Sequence, residues 1–279
     1  MITYKRCDQV DDKLIYNTFK EGFSDYIVKF NMTYEDFINR FFNVDGNDRR
    51  YSHIALNGDV GIGVIFGGVN TFDGIKSMRC GALSVAPEYR GKGVAQELVK
   101  LHKQKAKELD CKQLVLEVIV GNDRAIRFYQ KNEYIKKNDW FIYTTDNLSF
   151  LDGVDSSNVK QITIDDVRKY RYENIDYHIA WSNEIFCVEK RDAYHYGVFD
   201  GNKLVGVIST IGGAVLFIHV LEPYRNKGYG KALIKKAIKE DVESISTFFS
   251  AQSDLEQFLV KNGFVKDKIS QYEMAIANL

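Results

Sequence analysis

One pattern runs twice through this chain, and that repeat limits what it can fold into. The two prolines stand in matching segments, Ser84–Ala95 (SVAPEYRGKGVA) and His219–Gly230 (HVLEPYRNKGYG). Tyr89 and Arg90 match Tyr224 and Arg225, with the proline shifted by one place. Upstream, Ile54–Ile65 (IALNGDVGIGVI) parallels Gly197–Ile208 (GVFDGNKLVGVI). Each reads as strand, tight Asn-Gly or Asp-Gly turn, strand. Downstream, Phe128–Tyr134 (FYQKNEY) parallels Phe258–Phe264 (FLVKNGF). A repeat this long is a duplicated domain rather than a solenoid unit, and 279 residues suit two domains.

Periodicity supplies the elements. In the first copy, Asp11–Phe23 and Tyr34–Phe42 read as helices, Ile54–Ala55 and Gly61–Phe66 as a hairpin, and Ser77–Val85 as a strand. Val94, Leu98, Leu101, Ala106 and Leu109 mark the apolar face of a helix. Leu114–Val120 is a compact buried strand, Asp123–Asn132 a short helix, and Trp140–Thr144 a closing strand. In the second copy, Ile164–Tyr172 and Ala232–Ile238 read as helices. Leu204–Leu221 carries no Asp, Glu, Lys or Arg and is long enough for a membrane span. Gly212 and Gly213 split it, so two buried strands around a turn are expected instead. The stretch from Thr145 to Val159 is rich in Asp, Ser and Asn, which places the domain boundary there: 1–148 and 149–279.

Charge and cysteine usage exclude several functions. Lys+Arg and Asp+Glu are equal at 38 each, which opposes a general nucleic-acid binder and a polybasic membrane anchor. Cys7, Cys80, Cys111 and Cys187 are scattered without ligand spacing, so neither zinc nor a disulfide framework is expected. The first residues (MITYKRCDQVDD) hold no apolar signal core. A cytoplasmic protein without membrane or nucleic-acid partners is the expectation.

The segment Arg90–Ala95 carries the most chemistry. Two glycines between a strand and a helix permit backbone conformations closed to other residues and let a ligand approach the main chain. The first N–H groups of the helix lack internal partners, and the helix dipole adds partial positive charge. A phosphate or diphosphate suits this place without a metal, and Arg90 and Lys92 add formal charge. No GxxxxGK(S/T) run is present, which opposes a P-loop. Gly61–Gly67 approaches GxGxxG but lies inside a hairpin, which opposes a dinucleotide site.

Strand, then Val85-x-Pro87-x-x-Arg90-Gly91-x-Gly93-x-Ala95, then helix resembles the CoA-binding signature of the GCN5-related N-acetyltransferases, Arg/Gln-x-x-Gly-x-Gly/Ala. Arg90, Gly93 and Ala95 match it, as do Arg225, Gly228 and Gly230. Leu114–Tyr134 resembles the family's second motif, in which a strand ends in Asn and a helix carries Ala and Tyr. Glu133 and Tyr134 depart from its usual Gly-Phe ending. The resemblance implies tandem α/β (α+β) domains, each a mixed, mostly antiparallel sheet flanked by helices. It implies direct transfer of an acetyl group from acetyl-CoA to a primary amine of a small molecule or peptide, without a metal.

By the same resemblance, pantetheine pairs with the backbone of Leu83, Ser84 and Val85, where an N–H can polarise the thioester carbonyl. Arg90, Gly91, Lys92, Gly93, Val94 and Ala95 hold the diphosphate. Asn122, also a sensible N-cap, and Ala125 lie along the pantetheine arm. Tyr129 matches the tyrosine that protonates the departing thiolate; a core tyrosine is the alternative. A lysine-like amine, with pKa ~10.4, is mostly protonated at neutral pH, so a base is useful. Glu117 matches a glutamate that some relatives use so, and reads equally as a structural or substrate-orienting carboxylate. Asp25, Tyr26, Glu35 and His53 are further candidates. Phe19, Phe23, Tyr26, Phe30, Tyr34 and Phe37 form an aromatic-rich region, expected to be core, with the lining of an acceptor pocket as the alternative.

The copies differ in the second motif. Where the first has Asn122, Ala125 and Tyr129, the second has Gln252, Leu255 and Leu259. The first domain is therefore the catalytic candidate. The second is expected to be structural, substrate-shaping or a secondary CoA site. A non-catalytic acyl-CoA sensor, or transfer of another acyl group to another acceptor, are the competing readings.

Overall fold

The computed structural model describes residues 1–174, 178–239, 241–250, 254–277 and 279. They divide into two compact units, residues 1–138 with 271–279, and residues 139–270.

The first copy runs β1 (Ile2–Arg6), α1 (Asp12–Gly22), α2 (Tyr34–Phe37), a π-helical stretch (Ile38–Val44), β2 (Asn47–Asn57), β3 (Val60–Phe72), β4 (Ile75–Val85), α3 (Val94–Glu108), β5 (Gln113–Ile119), α4 (Asp123–Lys131) and β6 (Ile135–Thr145). Local chemistry sets the helix starts. Asp11 caps α1 by accepting from the Lys13 N–H at 2.8 Å, and Thr33 and Asp36 form a reciprocal capping box on α2. The helix expected over Tyr34–Phe42 changes after one turn to π geometry.

In the first unit the sheet order is β1-β2-β3-β4-β5, with residues 271–277 beside β5. Neighbours pair antiparallel except β4 and β5, which are parallel. Each face has its own core. One is closed by α3 and α4 through Val94, Leu98, Leu116, Met78 and Met274. The other is closed by α1 and α2 through Ile15, Phe19, Phe37, Phe41 and Phe66. The rings of Phe19, Phe37 and Phe41 pack with centroids 4.8–5.3 Å apart, so these aromatics are core.

The second copy supplies β7 (Val159–Gln161), α5 (Ile164–Asn174), α6 (Ile185–Val188), β8 (Tyr194–Asp200), β9 (Lys203–Ile211), β10 (Ala214–Val220), α7 (Tyr229–Ala237), β11 (Ile245–Ser250), α8 (Leu255–Lys261) and β12 (Val265–Ala277). In the second unit the order is β6-β11-β10-β9-β8-β7. The charge-free run 204–221 is the β9–β10 hairpin, turning at Gly212 and Gly213. No helix among the described residues is long and apolar enough to cross a membrane.

Each sheet is completed by the last strand of the other copy. Gln271–Ala277 of β12 lies antiparallel to β5, with Glu273 opposite Glu117. Trp140–Thr145 of β6 lies antiparallel to β11, with Trp140 opposite Ser250. The compact units thus divide the chain differently from the expected 1–148 and 149–279. An unpaired, apolar strand edge is unfavourable, and nothing local in the sequence says which later strand will cover it.

Candidate active site

The parallel ladder between β4 and β5 is short. Ser77–Arg79 pairs with Gln113–Val115; β4 then runs on to Val85 and β5 to Ile119 without further pairing between them. A cleft of about 640 Å³ occupies the divergence. Leu83, Ser84, Val85, Arg90, Gly91, Gly93, Val94, Ala95, Asn122, Ala125 and Tyr129 all line it. The structure brings these sequence-derived candidates together and leaves two, Lys92 and Glu117, outside the lining.

The floor of the cleft is the start of α3. Gly91 and Gly93 hold left-handed φ angles of 75° and 83°, and Gly93 is the N-cap. A Cβ built at either glycine would meet nothing within 4 Å. Open space therefore stands before a run of backbone N–H groups at the positive end of a four-turn helix, a geometry that suits a phosphate.

The formal charges are arranged differently from the sequence expectation. Arg90 donates from Nε to the Val85 carbonyl at 2.9 Å and from Nη2 to the Gly22 carbonyl at 3.0 Å. Its two terminal nitrogens grip Asp25 at 2.5 and 2.7 Å. Arg90 thus fastens the end of β4 to α1, and its hydrogen bonds hold the Asp25 carboxyl down at about 2. Lys92 stands over the Tyr89 ring at 5.1 Å. Asp25 and Tyr26 from the further candidates and Phe23 from the aromatic region also line the cleft, as do Gln96, Arg124 and Phe128, which were not singled out. Arg124 had a signal, since it lies in the first turn of α4 just after Asn122.

On the opposite wall, Asn122 caps α4 by accepting from the Ala125 N–H at 3.2 Å, and the Tyr26 hydroxyl lies beside it. Tyr129 is buried, packed edge-on against Phe128 and Tyr134. Among the described residues its hydroxyl has no hydrogen-bond partner. Burial, reinforced by the neighbouring Cys80, Tyr134 and Tyr26, holds that hydroxyl protonated, with a pKa well above the ordinary 10.

Glu117 sits elsewhere. Its side chain is 10% exposed on β5 and accepts from Arg79 Nε at 2.8 Å. Arg79 also approaches Asp45 at 3.8 Å, and Glu273, opposite Glu117 in the ladder, accepts from Asn138 at 2.9 Å. Burial raises the Glu117 pKa against the opposing effect of Arg79. His53 is also away from the cleft, on β2, and burial lowers its pKa to about 4. Glu35 is exposed on α2.

The second unit repeats the cradle, and a Cβ on Gly228 would meet nothing within 4 Å, as at Gly93. Gly228 has φ 87°, and Asn226, in the place of Gly91, has φ 62°. Arg225 Nε donates to the Val220 carbonyl at 3.0 Å, as Arg90 does to Val85. Its Nη1, however, pairs with Asp254 at 2.7 Å, where the first unit has Arg124. A Cβ on Gly230 would lie 3.2 Å from the Phe258 ring. Leu255 and Leu259 stand where Ala125 and Tyr129 do, and Gln252 lies outside the described residues.

Family comparison agrees with this duplicated geometry. A model described as the acetyltransferase (GNAT) family matches residues 15–134 and again 159–254. The chain belongs to this family. As a GNAT protein it falls within a family whose chemistry is acyl transfer, and it is a tandem member. Among solved structures, a tandem GNAT protein from the clavulanic acid biosynthesis pathway superimposes with TM-score 0.72 at 15% identity, covering 100% of this chain and 99% of that one. A GCN5-related N-acetyltransferase from Sphaerobacter thermophilus gives 0.69 at 12%, covering 99% and 95%. One from Kribbella flavida gives 0.66 at 13%, covering 99% and 72%. At these identities the likeness concerns the fold. No curated protein sequence matches the chain significantly. Among the described residues no group of three or more His, Cys, Asp or Glu is placed to hold a metal.

Proposed function

We propose that the first unit binds acetyl-CoA and transfers its acetyl group directly to a primary amine of a small molecule or peptide. The observation that carries this reading is one convergence in one cleft. An open strand edge at Leu83–Val85, an uncovered glycine cradle at the start of α3, and the unpartnered Tyr129 hydroxyl face the same space.

The residues fit the cofactor in parts. The α3 N–H groups from Gly93 onward, with Arg124 at the cleft wall, receive the diphosphate. The unpaired backbone edge of Leu83, Ser84 and Val85 pairs with the pantetheine amides, and Asn122 and Ala125 line its other side. A backbone N–H on that edge polarises the thioester carbonyl. Tyr129 gives its proton to the departing sulfur as the carbon–sulfur bond breaks. Arg90 acts as a fastener rather than a phosphate ligand, and Glu117 acts as the buried charge partner of Arg79.

Two features support direct transfer and one working unit. Burial keeps the Cys80 thiol, a neighbour of Tyr129, protonated up to about 12, so no thiolate is available there to carry the acyl group. In the second unit Asp254 pairs with Arg225 beside the cradle, and a carboxylate there opposes a diphosphate. The four cysteines are buried and free, in keeping with a reducing cytoplasm. Thiol release from acetyl-CoA, followed across a panel of amines, tests the reading. Amine-dependent release is expected; a folded protein that binds acetyl-CoA yet releases no thiol with any amine would favour a non-catalytic binder.

A further inference from the structure

Three formal charges line the cleft of the first unit: Arg90, Asp25 and Arg124. Arg90 and Asp25 pair with each other, so the charge left over is that of Arg124. Among the described residues Arg124 makes no hydrogen bond and no ion pair, and it is exposed. The Asp25 carboxyl feels Arg124 as well as Arg90, which puts the guanidinium within electrostatic reach of the cradle. Its position is locally unfavourable. Arg124 stands in the first turn of α4, at the positive end of the helix dipole, where a carboxylate is favoured and a cation is not. An unpaired cation there, open to the cleft, is placed to meet an incoming anion.

The second copy carries the opposite charge at this position. Phe128 and Phe258 align, so Arg124 corresponds to Asp254. Asp254, at the start of α8, lies 2.7 Å from Arg225 Nη1, so a side chain from this position reaches the signature arginine. The two cradles are otherwise alike. Gly228 is as open as Gly93, and Asn226 keeps the left-handed φ of Gly91. Arg225 Nε donates to the Val220 carbonyl as Arg90 Nε does to Val85. Lys227 stands over Tyr224 as Lys92 does over Tyr89, at 5.1 Å in each. The backbone that suits a phosphate is thus present twice, and the charge beside it differs. In the first unit a guanidinium is left over after pairing; in the second a carboxylate cancels Arg225.

We propose that the side chain at this first-turn position decides which cradle takes the cofactor: Arg124 pairs with the diphosphate of CoA in the first unit, and Asp254 turns it away in the second. This rests on the reading of the cleft as the acetyl-CoA site. A guanidinium offers two parallel N–H donors to phosphate oxygens, and binding relieves the charge that the α4 dipole disfavours. Arg124 therefore acts on affinity, apart from the thiolate and carbonyl that react.

Calorimetric titration of the full chain with CoA tests this, with circular dichroism confirming that each variant is folded. Wild type is expected to take one equivalent. Arg124→Glu should weaken that binding by about 10²-fold, the loss of a charge-assisted hydrogen bond with a repulsion added, and Arg124→Lys, which keeps the charge, should recover most of it. Asp254→Arg should take a second equivalent. The Asp254 side chain is 80% exposed and makes no capping hydrogen bond, so this change spares the fold. Uptake by Arg124→Glu as tight as by wild type, or a single equivalent in folded Asp254→Arg, overturns the assignment. Failure of folded wild type to bind CoA overturns the cofactor reading beneath it.

Discussion

Acidification tests the packing of the first unit quantitatively, through His102. This side chain on α3 is fully buried, and among the described residues neither ring nitrogen has a partner. Burial, with the nearby His53 adding to it, lowers its pKa from 6.5 to about 3. The folded state therefore resists the proton that the unfolded state accepts. The stability contribution is complete above pH 6.5 and is lost as pH falls towards 3. At pH 4.5, two units below the ordinary value, the loss from His102 is about 3 kcal/mol. His53, whose pKa burial lowers to about 4, adds a loss of similar size over the same range. Native-state hydrogen exchange of the α3 amides at pH 7 and 4.5 reads this as an opening free energy. His102→Leu should remove about 3 kcal/mol of the pH dependence and leave the protein at least as stable at pH 7, since an unpartnered buried polar group is unfavourable. Equal pH dependence in wild type and His102→Leu, or a His102 ring that titrates near 6.5 by NMR, would refute the reasoning.

Three further outcomes follow from the site and the topology. Tyr129→Phe should lower kcat by about 10²-fold, the lower range for a positioned acid, while calorimetric CoA affinity stays within twofold. Truncation after Phe264 removes β12 and exposes the β5 edge with Glu117, so hydrogen exchange of β5 should lose its protection although the missing residues belong to the second copy. The double variant Arg225→Glu/Gly228→Asp should leave turnover unchanged if it folds; abolished turnover in folded protein would move the chemistry to the second unit.

Much of the site was legible because its chemistry is local. The strand–glycine–helix run 84–95 specifies the cradle through backbone conformation alone, and Asn122 and Tyr129 follow from their places on one short helix. Charge assignment was less legible. Arg90 looks like a phosphate ligand in sequence, yet its partner Asp25 lies 65 residues away and takes both terminal nitrogens. Glu117 shares its strand with the cleft, but Arg79 draws it into a separate buried cluster. The aromatic region divides, with Phe19 and Phe37 in the core and Phe23 and Tyr26 at the cleft, because one amphipathic helix ends where the cleft begins. The exchange of β6 and β12 had no local signal, since strand pairing is settled by which edges remain open.

Calorimetric titration of the full chain with acetyl-CoA tests the central claim most directly. The account predicts one equivalent bound per chain, lost in a folded Gly93→Asp variant that puts a carboxylate and a strained φ into the cradle. Wild-type protein that takes up no acetyl-CoA, or a Gly93→Asp variant that binds as wild type does, would contradict it.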